Sequence, residues 1–421
     1  MGTQATTAKG IEAVTSEWSE GPRYLARQPI VDLRGKAHGF ELLLRNGLEA
    51  GLNDDSQPVA HARFDNAIQF GLEELTGGLP GFVNCTGEAL DEQLAERLPP
   101  NLTVLELRET TESAASLIAV CQKLRGMGFR LAFGEFVWKP GYEPLLDLAN
   151  YIKVDVGATG AAMRQDHLRR LAGKTVALVA ERVETQEQYL AVKAEGFKLF
   201  QGYYFCRPAP VKSRNIPTNR LFHIQILKVL HDHPVDFRKL GELVKQDAAL
   251  TYRLLRLVNS PLCAIRQEVR SVETALLAVG EDNFRHIATL AIANELNANQ
   301  PIEVLRLAFV RGRFCELAAV QFALDPGEQY LLGLLSMLPA MLCLPMEDLT
   351  PALPLREPIR QALHGNSNRE RKMLEWLELH EQGDWATCDA IVQSNSLNRD
   401  RMVLHYAQAI VWADAALRSI G

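Results

Sequence analysis

Residues 103–133 read TVLELRETTESAASLIAVCQKLRGMGFRLAF and contain one complete strand–helix–strand pattern. The runs Thr103–Leu107 and Arg130–Phe133 are short and apolar, and the stretch Thr111–Met127 between them has the apolar spacing of an amphipathic helix. A short buried strand, a surface helix and a second strand in this order predict a βαβ unit with parallel strands.

The same alternation continues on both sides, from Tyr24 to about Pro210. Amphipathic stretches at Pro58–Leu75 and Gln186–Ala194 predict further helices. Further strands are predicted at Leu25–Val31, Gly81–Asn84, Tyr151–Val154, Val176–Val179 and Leu199–Tyr203. About seven units in roughly 190 residues favour a compact (β/α) barrel over an open sheet.

The second half of the chain follows a different pattern. Residues 209–219, APVKSRNIPTN, hold two prolines and predict a linker. No strand pattern follows, and the apolar spacing predicts helices up to the C-terminal tail, itself mostly helical. These helices are predicted at Arg220–His231, Phe237–Lys245, Ala248–Val258, Val272–Val279, Glu281–Leu296, Val304–Leu324 and Tyr330–Leu344. The division expected is a flexible tail over 1–21, an α/β barrel over 22–208, the linker, and an all-helical domain over 220–421.

Composition sets the class of protein. The 421 residues are 47% hydrophobic and 23% charged, ordinary proportions for a soluble globular chain. The formal charge of −6 speaks against a nucleic-acid partner, which would require a basic surface. Seven scattered cysteines without a CxxC pair predict free thiols in a reducing cytoplasm. Neither a signal peptide nor a membrane-spanning stretch is expected.

Polar side chains stand at or near the ends of the predicted strands. In a (β/α) barrel such side chains converge on one mouth, where the chemistry of these barrels takes place. Taken singly, a Lys-x-Asp pair such as Lys153 and Asp155 predicts only a salt bridge. A Glu after a strand predicts only a favourable negative charge at the N-terminus of the next helix. The residues in question are Gln28, Glu41, Arg45, Asn84, Glu106, Lys153, Asp155, Glu181 and Gln201.

With these motifs in this order, residues 22–210 resemble an EAL domain, the cyclic di-GMP phosphodiesterase fold, which is a modified (β/α)8 barrel. The namesake Glu-Ala-Leu corresponds to Glu41-Leu42-Leu43. The resemblance implies two divalent cations that clamp the scissile phosphate and activate a water. It implies these roles: metal ligands at Glu41, Asn84, Glu106 and Glu181, a water-positioning lysine at Lys153, a phosphate contact at Arg45, a glutamine near the site at Gln201, and a loop brace at Glu109.

Two positions depart from the family pattern. Active members carry Asp-Asp-Phe-Gly after the fifth strand, whereas this chain has Gly134-Glu135-Phe136-Val137. Arg182 replaces a glycine beside Glu181. Because a lost carboxylate removes a ligand and a charge, the sequence predicts a pseudo-enzyme without a metal cofactor, with Mg²⁺ or Mn²⁺ only if the vestigial site retains it. Arg182 is predicted to pair with Glu41 or Glu106 in place of metal charge.

The leading functional prediction is therefore a catalytically inactive signalling adaptor that binds regulatory proteins, with homodimers implied by the resemblance. One alternative is a sensor that binds cyclic di-GMP without hydrolysing it. Its ligand would be held by Gln28, Glu41, Leu43, Arg45, Asp155 and Gln201. The other alternative is a metal-dependent cyclic di-GMP phosphodiesterase.

The helical half resembles an HDOD domain, a relative of the HD metal-dependent phosphohydrolases. The resemblance rests on Asp247–Leu250, Leu254–Pro261, Val269–Ala275 and Leu277–Gly280. An HD site needs His and Asp ligands, but Ser336-Met337 stands at the His-Asp position. No metal site is expected there, since serine and methionine are poor ligands for hard cations.

Three other features of the helical half have simple interpretations. The upstream histidine position of an HD site falls near Arg311–Arg313. The triplet His231-Asp232-His233 precedes a proline and predicts a helix end, not a metal site. Met337, Met341 and Met346 are predicted to lie in the core.

Overall fold

The computed structural model describes residues 23–46, 71–85, 98–107, 114–134, 141–205, 218–231, 237–260, 263, 265, 268–297, 300–353 and 355–420. These residues form two compact units. A barrel unit contains those of 17–206 together with 378–394, and a helical unit contains those of 207–377 and 395–421.

The barrel unit is a closed sheet of eight strands in sequence order. Strand β1 pairs antiparallel with β2 and β8, and all other pairs are parallel. The strands are β1 Arg23–Asp32, β2 Ala37–Asn46, β3 Gly81–Cys85, β4 Thr103–Leu107, β5 Arg130–Phe133, β6 Tyr151–Asp155, β7 Ala177–Glu181 and β8 Leu199–Phe200. The predicted barrel is thereby confirmed.

The start of the barrel differs from a simple βαβ repeat. The predicted strands omitted β2, which follows β1 through a tight hairpin. Asp32 Oδ1 accepts hydrogen bonds from the backbone N–H groups of Arg34 and Lys36, at 2.8 and 3.0 Å, and so fixes this turn. Because the connection is a hairpin and not a helical crossover, β1 runs against the rest of the sheet.

The last strand is shorter than predicted. It ends at Phe200, and Tyr203–Phe205 form a 3-10 turn. Between them Gly202 has φ 153°, and a Cβ there would lie 2.3 Å from the backbone of Val183. Only glycine fits such a close approach of two chain segments. The described helices of the barrel before residue 206 are α1 Leu72–Thr76, α2 Ala114–Gly126, α3 Glu143–Leu148, α4 Ala161–Leu171 and α5 Gln186–Glu195.

In the helical unit four of the predicted helices have the observed bounds, residues 237–245, 248–258, 272–279 and 281–296. Side chains cap two of them, since Asp247 accepts from Leu250 N–H and Ser271 from Thr274 N–H. The described helices after residue 206 are α6 Thr218–His231, α7 Phe237–Lys245, α8 Ala248–Val258, α9 Val272–Val279, α10 Glu281–Leu296, α11 Ile302–Ala318, α12 Pro326–Leu335, α13 Leu338–Leu342, α14 Met346–Leu349, α15 Glu357–Leu363, α16 Arg369–Gln382, α17 Trp385–Ser394 and α18 Arg399–Ile420.

Two helix predictions were too long. The stretch predicted over Val304–Leu324 ends as α11 at Ala318 and continues as a 3-10 turn. The stretch predicted over Tyr330–Leu344 divides at Ser336–Met337 into α12 and α13. Pro339 lies in the first turn of α13, where a proline without an N–H is tolerated. The apolar pattern runs through this break because both short helices face the core.

The end of α16 and all of α17, residues 378–394, pack in the barrel unit and not in the helical unit. Among the described residues, no helix is long and apolar enough to cross a membrane. The six described cysteines are free thiols.

Candidate functional site

The barrel interior is layered, and the layers follow from the two-residue period of its strands. An apolar cluster contains Ile30, Phe82, Val104, Ala132, Tyr151, Val179 and Leu199. Two residues further along β3, β4, β6 and β7 stand the polar residues Asn84, Glu106, Lys153 and Glu181. Since side chains two apart lie on the same face of a strand, these four form the next layer inside the barrel, toward the carboxyl ends of the strands.

Lys153 is the centre of this polar layer. Its Nζ lies 2.8 Å from Glu41 Oε2, 2.7 Å from Glu106 Oε2 and 2.6 Å from Glu181 Oε1. The Lys153 side chain is 0% exposed and that of Glu181 is 15% exposed, so the site meets solvent on the Glu181 side. One ammonium thus faces three carboxylates, and the layer carries an excess of negative charge.

Amide side chains complete the contacts of Glu41. Asn84 Nδ2 donates to Glu41 Oε1 at 2.8 Å, and Gln201 Nε2 donates to Glu41 Oε2 at 2.6 Å. Gln201 Nε2 also donates to Gln28 Oε1 at 2.7 Å. Asn84 of β3 and Gln201, directly after β8, therefore meet at the carboxylate of Glu41, and Gln28 of β1 holds Gln201.

The pKa values of the buried carboxyl groups of Glu41 and Glu106 are shifted in opposite directions. Burial alone would raise the pKa of Glu41, but the charge of Lys153 and hydrogen bonds from Lys153, Gln201 and Asn84 lower it to about 2. Burial, helped by the charges of Glu41 and Glu181, raises the pKa of Glu106 to about 8 against the opposing effect of Lys153. Burial would lower the pKa of Lys153, but the three glutamates hold it above its usual value.

The glycine that replaces the family's first aspartate lies against Glu106. A Cβ on Gly134 would stand 2.7 Å from Glu106 Oε1. The carboxylate of Glu106 therefore fills the space in which a side chain at position 134 would begin. Its neighbour Glu135 lies outside the described residues.

The prediction for Arg182 was wrong, since Lys153 and not Arg182 neutralises Glu41 and Glu106. Arg182 Nη1 lies 2.9 Å from Asp155 Oδ2, and the Arg182 side chain is 68% exposed. Asp155 Oδ1 accepts from the backbone N–H groups of Gly157 and Ala158, at 2.8 and 2.9 Å. Asp155 thus structures the end of β6 and anchors the rim of the site.

Arg182 has a left-handed backbone, with φ 54°, as the family's glycine would allow. This conformation makes a matched comparison possible. Arg182→Gly and Arg182→Ala both lose the contact with Asp155, but only alanine keeps a Cβ at a positive φ. In urea titrations we expect the free energy of unfolding of Arg182→Gly to be about 1 kcal/mol higher than that of Arg182→Ala. Equal free energies of unfolding for the two variants would contradict this backbone assignment.

The remaining predicted site residues lie apart or outside the described regions. Leu43 is half-buried on β2, and the backbone of Arg45 pairs with Tyr24 at the end of the same strand. The side chain of Arg45, and all of Glu109, lie outside the described residues.

In the helical unit, Arg311 is buried and its Nη1 donates to Ser336 Oγ at 3.2 Å. The two regions predicted from the resemblance to match HD ligand positions therefore contact each other. Met337 and Met341 are buried in the core as predicted, and Met346 is partly exposed. The His231 side chain and residues 232–236 lie outside the described residues.

Comparisons with known proteins identify both halves. The EAL domain family model matches residues 12–208, and the HDOD domain family model matches residues 216–376. The cyclic di-GMP phosphodiesterase CdgJ of Vibrio cholerae is 31% identical over 369 residues, which are 86% of this chain and 85% of CdgJ. The chain belongs to the EAL–HDOD family. As a member, it is a signalling protein tied to cyclic di-GMP.

The chain is also similar to two further proteins. The uncharacterized protein YuxH of Bacillus subtilis is 28% identical over 400 residues, which are 92% of this chain and 97% of YuxH. A crystal structure of a standalone versatile EAL protein from Vibrio cholerae O395, in its c-di-GMP bound form, is 23% identical. The match covers 44% of this chain and 92% of the chain in that crystal structure, with a TM-score of 0.36.

The relation to CdgJ overturns the sequence-based prediction that this EAL–HDOD protein is not an enzyme. The relative is named a cyclic di-GMP phosphodiesterase and aligns along most of both chains. The prediction gave too much weight to Gly134 and Arg182. In the structure Gly134 makes room for Glu106, and Arg182 lies on the rim beside Asp155.

Sequence reasoning also missed residues that pack beside the site. Tyr24 of β1 stacks on Trp385 of α17, with ring centroids 4.9 Å apart, and these residues are 361 positions apart in the chain. The only signal in the sequence was a tryptophan within a charged helical tail, two residues after the helix-ending Gly383.

Proposed function

We propose that this EAL–HDOD protein is a metal-dependent cyclic di-GMP phosphodiesterase that opens the cyclic dinucleotide to its linear form. The observation that carries the proposal is the convergence of Glu41, Asn84, Glu106 and Glu181 around Lys153. Four strands bring oxygen donors and a fifth brings one ammonium to a single layer that meets solvent at the carboxyl ends of the barrel strands, where such barrels do their chemistry.

The donor set fits a hard divalent cation such as Mg²⁺ or Mn²⁺. All four side chains offer oxygen, and Asn84 Oδ1 is buried without a hydrogen-bond partner. Among the described residues no three carboxylate, imidazole or thiol groups stand arranged around a metal position, because the glutamates point at Lys153 Nζ. A bound cation would lower the pKa of a water and polarise the phosphate oxygens.

The chain's own residues supply the rest of the chemistry. Lys153, held protonated by its neighbours, supplies a positive charge at the floor of the site, with its Nζ within 2.8 Å of three glutamates. Gln28, Gln201 and Asn84 fix the orientation of Glu41, so the site needs little rearrangement when the ligand enters. Water adds to phosphorus, one P–O bond to a ribose oxygen breaks, and that oxygen takes a proton.

The test is incubation of the full-length protein with cyclic di-GMP, with Mn²⁺ or with a chelator, followed by separation of the nucleotides by chromatography. We expect linear dinucleotide with Mn²⁺ and intact cyclic di-GMP with the chelator. Intact nucleotide under both conditions would contradict the proposal.

A further inference from the structure

The edge of strand β1 is covered by a segment from the far end of the chain. Strand β1 pairs with β8 only through Val31 and Asp32. In the described strand pairings, the outer edge of its first half, residues 23–30, has no strand neighbour. An exposed edge of this kind is a liability that proteins cover with other elements. Here residues 378–394, which we call the clamp, contact the strand at Tyr24 and Leu25.

The clamp contacts β1 through specific polar and aromatic groups. His380 Nε2 donates to the backbone oxygen of Leu25 at 2.6 Å, since a carbonyl can only accept. The hydroxyl of Tyr24 donates to Asp389. Tyr24 stacks on Trp385 at 4.9 Å, and Trp385 meets the His380 ring edge-to-face at 5.0 Å.

These contacts are buried and their geometry is fixed by a short turn. His380 is 0% exposed, Tyr24 1% and Trp385 8%. Helix α16 ends at Gln382, and Gly383 takes φ 78°, which only glycine adopts easily. A Cβ on Gly383 would be 3.6 Å from Leu43 Cδ1, so the turn itself lies on strand β2. His380 and Trp385 thereby both lie against the Tyr24 ring and against each other.

The strand that the clamp holds is paired with the strand of Glu41. In the β1–β2 hairpin Tyr24 pairs with Arg45, Leu25 with Leu44 and Gln28 with Glu41. The clamp contacts at Tyr24 and Leu25 therefore lie four and three residues along β1 from Gln28, the partner of Glu41. A shift of β1 would move Glu41 relative to Lys153 and Asn84, which stand on β6 and β3.

We infer that His380 and Trp385 are positioning residues for the phosphodiesterase site, acting through the β1–β2 hairpin that carries Glu41. The inference rests on the proposed function for its catalytic consequence. The clamp follows the region matched by the HDOD family model, residues 216–376, and its helix α16 begins in the helical unit. The catalytic barrel is thus completed by residues that lie beyond both matched domains.

The test compares four full-length variants. His380→Ala removes the hydrogen bond to Leu25, and Trp385→Ala removes the stacked ring. His380→Gln places an amide N–H near the position of Nε2 and is the conservative variant. Gln393→Ala, an exposed position on the same helix α17, is the matched control.

Two readouts are measured on each variant, hydrogen exchange by mass spectrometry and steady-state kinetics. We expect His380→Ala and Trp385→Ala to speed amide exchange in peptides of residues 37–46 by about tenfold or more, with peptides of residues 151–155 unchanged. We expect kcat to fall roughly 10- to 100-fold, because small misplacements of catalytic groups have effects of this size. His380→Gln and Gln393→Ala should stay near the wild type in both.

The outcomes separate this inference from the proposed function. If both alanine variants exchange the amide hydrogens of residues 37–46 as slowly as the wild type does, the clamp does not hold the β1–β2 hairpin, whatever the activity. Faster exchange with unchanged kcat would overturn the positioning role. A wild-type protein without turnover would refute the proposed function, and the Mn²⁺ affinity measured by calorimetry would then replace kcat as the second readout. If Trp385→Ala fails to fold, the comparison of His380→Ala with His380→Gln in the same two readouts still tests the positioning role.

Discussion

Replacing Lys153 by methionine is expected to lower the free energy of unfolding of the metal-free protein by roughly 3–5 kcal/mol at pH 7. The reason is that Lys153 is the shared partner of Glu41, Glu106 and Glu181, and its side chain has no exposure to solvent. Without it, buried carboxylates face one another uncompensated. Denaturant unfolding in the presence of a chelator measures the loss.

The pH dependence of this loss has a definite sign. In the wild type the pKa of Glu41 is lowered from 4.5 to about 2, mainly through Lys153 acting against burial. Its contribution to stability is therefore present above about pH 4.5 and is lost as the pH falls toward 2. The difference between Lys153→Met and the wild type should be full at pH 7 and should shrink over that interval.

The control for this experiment is Lys174→Met. Lys174 forms an ion pair with Asp147 in the same unit, but Asp147 is 71% exposed. Exposed pairs contribute about 0–1 kcal/mol, so this variant should unfold almost as the wild type does. Equal losses for Lys153→Met and Lys174→Met would mean that the central lysine does not hold the carboxylates together.

Glu41→Gln is expected to reduce kcat for cyclic di-GMP by about 10³-fold, which corresponds to roughly 4 kcal/mol of transition-state stabilisation. The substitution keeps the shape of the side chain but removes its charge. Glu41 accepts hydrogen bonds from Lys153, Asn84 and Gln201. The amide nitrogen of the glutamine, itself a donor, would therefore face other donors. Initial rates with Mn²⁺, measured at temperatures where circular dichroism shows the variant folded, give the effect.

Glu73→Gln is the matched control for this charge removal. Glu73 is an exposed carboxylate on α1 of the same unit. Its variant should turn over at the wild-type rate. A Glu41→Gln protein that hydrolyses cyclic di-GMP as fast as the control would exclude Glu41 from the reaction.

The residues of the polar layer could be predicted from the sequence, but the ion pairs among them could not. The strand ends placed Asn84, Glu106, Lys153 and Glu181 at one mouth, and the structure brings them together. The error concerned Arg182, and the two-residue period of a strand explains it. Lys153 lies two residues after the interior Tyr151 and points into the barrel, whereas Arg182 lies one residue after the inward-facing Glu181.

Other differences also have physical causes. Strand β2 was not predicted, because His38 and Gly39 interrupt its apolar run. Helices α7 to α10 were predicted with the observed bounds, since amphipathic spacing and capping residues are local signals. The clamp contacts join residues more than 350 positions apart, and no local pattern carries that information.

The most direct test of the metal-dependent site is the initial rate of linear dinucleotide formation as a function of Mn²⁺ concentration, for the wild type and for Asn84→Ala. Asn84 offers the buried oxygen that lacks a hydrogen-bond partner. We predict a saturable rate for the wild type and a requirement for about 10- to 100-fold more Mn²⁺ in the variant. Identical Mn²⁺ curves for the two proteins, or no linear product from the wild type at any Mn²⁺ concentration, would contradict the account.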